Sequence, residues 1–121
     1  MARESLWSKY PDYRVELDES PEPRRVRFHG EVIAESSRAL VVRETKHDPV
    51  VYFPREDVRL AHFERTEHET FCPFKGEASY WSLRVGEHAS ENTAWSYEAP
   101  FPEVAGLKDY VAFYADRVDW D

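Results

Sequence analysis

The chain has 121 residues and a formal net charge of −8, set by 16 Lys and Arg against 24 Asp and Glu. That length suits one domain, and a hydrophobic share of 41% with 4 Trp, 7 Tyr and 7 Phe supplies one core. Collagen, a coiled coil, a disulfide scaffold and a wholly disordered chain are excluded by this composition.

Residues 1–23 are polar, acidic and interrupted by Pro11, Pro21 and Pro23. They are expected to form an arm that packs through Trp7, Tyr10 and Tyr13, leaving residues 24–121 as a single β-rich domain. Periodicity begins at Arg24. In Arg25-Val26-Arg27-Phe28 the apolar and charged residues alternate, as on a half-buried strand. A second strand, residues 32–35, follows a tight reversal at His29-Gly30-Glu31, where glycine supplies the permissive backbone. Ser36-Ser37-Arg38 is the next turn, and residues 39–45 form a third strand. Residues 50–53 form another, ended by Pro54, and Pro54 with Glu56 and Asp57 suits the start of a short helical turn. Residues 79–85 and 93–97 read as aromatic strands separated by a turn region over residues 86–92. A single helical turn is expected over residues 104–108 and a last strand over residues 110–114. No helical stripe of 10 or more residues appears. The expected architecture is mainly β, a compact antiparallel sheet or barrel-like domain of about seven or eight short strands with one or two helical turns.

The charge is unevenly spread: residues 1–45 carry 8 basic and 9 acidic side chains, residues 46–121 carry 8 and 15. An acidic chain is a poor general partner for nucleic acid, whose affinity comes largely from Lys and Arg on phosphates. The one basic cluster, Arg24, Arg25 and Arg27, reads as a solvated strand face. A single cysteine, Cys72, excludes a disulfide within the chain. The amino end lacks the apolar stretch of a signal peptide, and no segment approaches the ~20 apolar residues of a membrane span. A cytoplasmic protein with no membrane partner is expected.

The densest group of chemically distinctive residues is Cys72-Pro73-Phe74-Lys75-Gly76. Pro73 fixes its own φ and pushes Cys72 toward extended backbone, while Gly76 permits a left-handed turn. The loop then folds back and can carry the Lys75 ammonium toward the Cys72 sulfur, where a cation favours the nucleophilic thiolate. The plainer reading is a buried, inert cysteine beneath a tight turn. Trp81, Trp95 and Tyr97 lie on strands expected to neighbour each other, and three such rings can wall a pocket for a flat ligand or a cation. They can equally fill a core. His62, His68 and Cys72, with Glu64, Glu67 and Glu69 between, lack the close ligand pairs of a zinc site, so no metal is expected. Asp119 and Asp121 have the spacing of a carboxylate pair but read as a solvated tail. No dinucleotide-binding, Walker-type or serine-hydrolase motif occurs, and no cofactor is expected.

The sequence resembles the bacterial domain-of-unknown-function 427 family. The resemblance rests on Arg25-Val26-Arg27-Phe28-His29-Gly30, Ile33-Ala34-Glu35-Ser36, and Tyr52-Phe53-Pro54 with Asp57-Val58. It continues through Thr70-Phe71-Cys72-Pro73-Phe74-Lys75-Gly76-Glu77-Ala78-Ser79-Tyr80-Trp81, then Ala94-Trp95-Ser96-Tyr97 with Pro100, and Val111-Ala112-Phe113-Tyr114. It implies a compact, predominantly β domain. By motif match it implies Cys72, Lys75, Tyr80, Trp81, Trp95 and Tyr97 as site residues, with Glu44 and Asp57 placed by neighbourhood. The family is sometimes labelled nucleotidyltransferase-like. That chemistry calls for Mg²⁺ held by carboxylates beside a phosphate-cradling loop, which this sequence lacks, and the label is not adopted.

Three functions follow as expectations. The first is binding of a small anionic or flat ligand, with Lys75 on its acidic group and the rings against its plane. The second is an enzyme with Cys72 as nucleophile, assisted by Lys75 and requiring His62 or His68 as base. The third is an interaction domain whose exposed β edge pairs with a partner or a second copy, giving a homodimer.

Overall fold

The computed structural model describes residues 3–121, so the first two residues of the expected arm lie outside it. Ten strands follow in chain order: β1 (Val15–Glu19), β2 (Arg24–Phe28), β3 (Glu31–Ser36), β4 (Leu40–Glu44), β5 (Val50–Pro54), β6 (Phe63–Cys72), β7 (Gly76–Val85), β8 (His88–Ser96), β9 (Tyr110–Phe113) and β10 (Asp119–Trp120). Seven form one antiparallel sheet in the order β1-β4-β5-β9-β8-β7-β6, and three form a second in the order β10-β2-β3. Helical structure is confined to 3-10 turns, among them Arg55–Asp57 and Pro102–Leu107 at the two positions the sequence indicates. The fold is mainly β and a single domain, as expected. No helix among the described residues is long and apolar enough to cross a membrane.

Local chemistry explains the strands read from sequence. Val26 and Phe28 are buried while Arg25 and Arg27 face outward. The β2–β3 reversal places His29 and Gly30 at φ +47° and +84°, the positive pair that a two-residue hairpin turn requires. Three elements depart from the expectation. β1 lies inside the predicted arm and pairs with β4 from Val15↔Glu44 to Glu19↔Leu40. β6 is a ten-residue strand with the polar sequence FERTEHETFC. It carries little apolar alternation because it is a sheet edge, where charge guards unpaired backbone. The expected turn over residues 86–92 is mostly strand: the reversal is confined to Gly86 and Glu87, and β8 starts at His88 with a register shift opposite Trp81 and Leu83.

The carboxyl terminus corrects the reading of a solvated tail. β10 pairs Asp119↔Arg27 and Trp120↔Val26, and the Trp120 ring lies 6.2 Å from Phe53. The Asp121 carboxylate accepts from Arg25 Nε at 2.8 Å and Arg27 Nε at 2.9 Å. Two of the three arginines of the basic cluster are thus paired with Asp121.

The large sheet is apolar on both faces. One face packs against the small sheet through Val26, Phe28 and Ile33 on one side and Phe53, Leu83 and Phe113 on the other. The opposite face carries Val42, Tyr52, Tyr80 and Ala112, covered in part by Val104 and Leu107 of the 3-10 turn. Leu83 is fully buried in the inter-sheet core. Leu83→Ala is expected to lower the unfolding free energy by roughly 2–5 kcal/mol in urea denaturation, the range for a leucine deletion in a packed core.

Candidate functional site

A cavity of about 650 Å³ opens on the second face of the large sheet. Its floor draws on four strands of that sheet: Val42 and Glu44 from β4, Tyr52 from β5, Tyr80 from β7 and Trp95 from β8. The β6–β7 turn forms one wall, with Cys72 paired opposite Gly76 and the Lys75 amide returning to the Cys72 carbonyl at 3.2 Å. Gly76 has φ +118°, a backbone conformation that L side chains rarely adopt, so glycine suits the turn that follows Lys75. The chain before β1 lies over this turn. The Leu6 amide bonds the Pro73 carbonyl, Trp7 Nε1 donates to the Phe74 carbonyl at 2.8 Å, and the Tyr13 ring stacks on Phe74 with centroids 3.6 Å apart.

The polar end of the cavity is a buried ion pair. Lys75 Nζ donates to Glu44 Oε1, and the two side chains are only 10% and 8% exposed. The Tyr13 hydroxyl donates to Glu44 Oε2, and His47 Nε2 lies 3.8 Å from the same oxygen at the solvent-facing rim. The Tyr97 ring lies 5.9 Å from the ammonium, within cation–π range. An ammonium has three donors. Glu44 takes one, and among the described residues no other acceptor takes the remaining two. Elsewhere in the cavity Trp95 Nε1 donates to the Tyr52 hydroxyl at 3.1 Å, and Tyr80 shares a hydrogen bond with Thr70 at 3.0 Å. Burial raises the Tyr52 and Tyr97 phenols, and burial with the Glu44 hydrogen bond raises Tyr13. These phenols stay neutral near neutral pH.

Cys72, Lys75, Tyr80, Trp95, Tyr97 and Glu44 therefore line one cavity. Trp81 and Asp57 do not. The register places Tyr80 directly opposite Trp95 and Trp81 opposite Ala94, so Trp81 falls on the other face of β7. Its ring lies between the Arg55 and Arg65 guanidinium groups, at 5.1 and 5.0 Å, and both arginines bond Glu98. Asp57 accepts from Ser36 Oγ at 2.6 Å beside Arg38. The ammonium expected near the thiol instead bonds Glu44. His62 sits in the 3-10 turn Leu60–His62 and His68 lies against Tyr80 at 4.5 Å, and among the described residues neither bonds the half-buried Cys72. Along β6, His68 and Cys72 are four residues apart at ~3.3 Å each, and His62 precedes the strand. No three His, Cys, Asp or Glu side chains among the described residues are grouped to hold a metal.

The sequence alone does not assign Tyr13, Tyr52 or Tyr114 to the site, whereas Phe74 lies in the Cys72–Gly76 loop that it singles out. Tyr13 was placed only as packing of the arm, and Tyr52 only as strand. Tyr52 is tied to the site by a bond across 43 residues, which local spacing cannot show.

A family model described as a domain of unknown function, DUF427, matches residues 16–121. The chain belongs to that family, as its motifs indicate. No curated protein matches the sequence. Of the residues placed around the ion pair, Tyr13 alone falls outside the matched span.

Two predictions follow from the charges. Lys75→Met leaves the Glu44 carboxylate buried without its cation, and breaking such a pair costs roughly 3–5 kcal/mol. The double variant Glu44→Leu with Lys75→Met is expected to recover most of that loss in urea denaturation, giving a large coupling between the two sites. On the other face, hydrogen bonds from Arg65 and Arg55 lower Glu98 from 4.5 to about 2. The unfolded carboxyl binds protons first, so the stabilisation is complete above pH about 4.5 and is lost as pH falls toward about 2. Glu98→Gln is expected to remove that part of the pH dependence of the melting temperature.

Proposed function

We propose that this member of the DUF427 family binds a small flat ligand in the ring-walled cavity, with an oxygen acceptor of the ligand on Lys75. The observation that carries the reading is the Lys75 ammonium, nine-tenths buried, lining the cavity, with two donors that no acceptor among the described residues takes. Buried donors without partners are costly, so a ligand oxygen placed there gains a charge-assisted hydrogen bond. The walls favour a plane: Trp95, Tyr52, Tyr80 and Tyr97 offer ring faces and edges, and the volume falls within the ordinary range for small-molecule sites.

The charge narrows the acceptor. Glu44 already neutralises Lys75, and Asp48 stands at the rim, so a doubly charged phosphate meets no net positive potential. A single carboxylate or a carbonyl suits the site better. Binding is favoured over a cysteine nucleophile because Lys75 bonds the carboxylate and neither His62 nor His68 bonds the sulfur.

Titrating the protein with a panel of planar carboxylates and carbonyl heterocycles, read by tryptophan fluorescence, tests the proposal. At least one compound is expected to quench Trp95 saturably, with affinity about tenfold or more weaker in Lys75→Met, as for loss of one hydrogen bond to a charged group. The same compound is expected to slow alkylation of Cys72, which lines the cavity. If wild type and Lys75→Met respond alike to every compound, the reading is wrong.

A further inference from the structure

Lys75 is half of the polar end of the cavity. The other half is Glu44, and its bonding leaves capacity as well. Oε1 accepts from Lys75 and Oε2 accepts from Tyr13. A carboxylate oxygen has two acceptor sites, so each oxygen retains one. The carboxylate is buried and lines the same cavity as the ammonium. A donor with hydrogens to spare therefore sits hydrogen-bonded to an acceptor with lone pairs to spare, at the end of a slot walled by aromatic rings.

That arrangement is complementary to one chemical pattern. We infer that the ligand is a neutral planar heterocycle with a cis-amide edge, in which a ring N–H meets Glu44 and the adjacent C=O meets Lys75. The class includes ring lactams such as nucleobases and pterins. The inference rests on the cavity reading above and goes beyond it by adding the second contact and the ligand's neutrality. A simple carboxylate satisfies Lys75 but brings its negative charge beside Glu44, where like charges repel. A cis-amide satisfies both partners without adding charge. It also preserves the ion pair, so neither buried charge loses its counter-ion on binding. Tyr13 takes one acceptor site of Oε2 and stacks on Phe74, while Oε1, which bonds Lys75, keeps a site next to the ammonium.

Three bicyclic probes of matched size test this by fluorescence titration: 4(3H)-quinazolinone, its N3-methyl derivative and 2-naphthoate. The lactam is expected to bind about tenfold or more tightly than its N-methyl derivative, which keeps the carbonyl but cannot donate to Glu44. In Glu44→Gln the lactam is expected to weaken by about tenfold, whereas naphthoate strengthens because the neighbouring negative charge is gone. The methylation comparison uses wild-type protein alone, so a poorly folded variant leaves the test intact. Equal binding of the lactam and its N-methyl derivative overturns the cis-amide inference. Lys75-dependent binding of naphthoate in that case leaves the cavity reading standing. If none of the three binds and the wider panel is also silent, both readings fall.

Discussion

The contact between Glu44 and Lys75 constrains the whole sheet. Glu44 ends β4 and Lys75 precedes β7, and in the strand order these lie four steps apart, through β5, β9 and β8. At ~4.8 Å per step a flat sheet would separate them by about 19 Å. The two side chains nevertheless bond directly, so the sheet must curl until its distant parts face one another. The cavity is the hollow of that curl. Its floor residues are those that strand alternation puts on the concave side, and its wall is the turn that delivers the ammonium.

A buried ion pair is a weak device for stability, since desolvating both charges offsets most of their attraction. Its value lies in geometry, because only one curl brings both partners together with Tyr13 on the second carboxylate oxygen. The acidic surplus of the chain is handled differently elsewhere. Glu98 gathers Arg55 and Arg65 around Trp81, and Asp121 gathers Arg25 and Arg27, both in partly exposed settings. Those clusters bind arginine forks from the convex face and the carboxyl terminus. The cavity pair is more deeply buried than either cluster, and its ammonium and carboxylate keep unspent donors and acceptors.

The strands with period-two alternation were legible because one face was buried: Val26 and Phe28 against Arg25 and Arg27 show it within four residues. β6 was not legible, because an edge strand with charge on both sides carries no such pattern. The turn at Cys72–Gly76 was legible from proline and glycine chemistry, and so was the nearness of Lys75 to aromatic rings. What Lys75 touches was not. The sequence places a thiol three residues away and a carboxylate 31 residues away, and the fold chooses the carboxylate. Trp81 shows the limit most sharply. Alternation alone sends Tyr80 and Trp81 to opposite faces, but which of the two faces the cavity depends on the pairing of Tyr80 with Trp95, which a single strand does not contain.

Tyr13 gives the site an asymmetry that the rest of the fold does not. It comes from the segment that crosses the β6–β7 turn, held there by Leu6 and Trp7 on the turn's own carbonyls. Its hydroxyl occupies the outer oxygen of Glu44, and its ring shields Phe74. The Glu44 carboxylate thus has an ammonium on one oxygen and a phenol on the other. The phenol is neutral, so it fixes the orientation of the carboxylate without altering the charge balance. The segment thereby converts a general ion pair into a directional one. On the proposed reading, a ligand that meets both the carboxylate and the ammonium presents a single edge to them, because the two groups are bonded to each other.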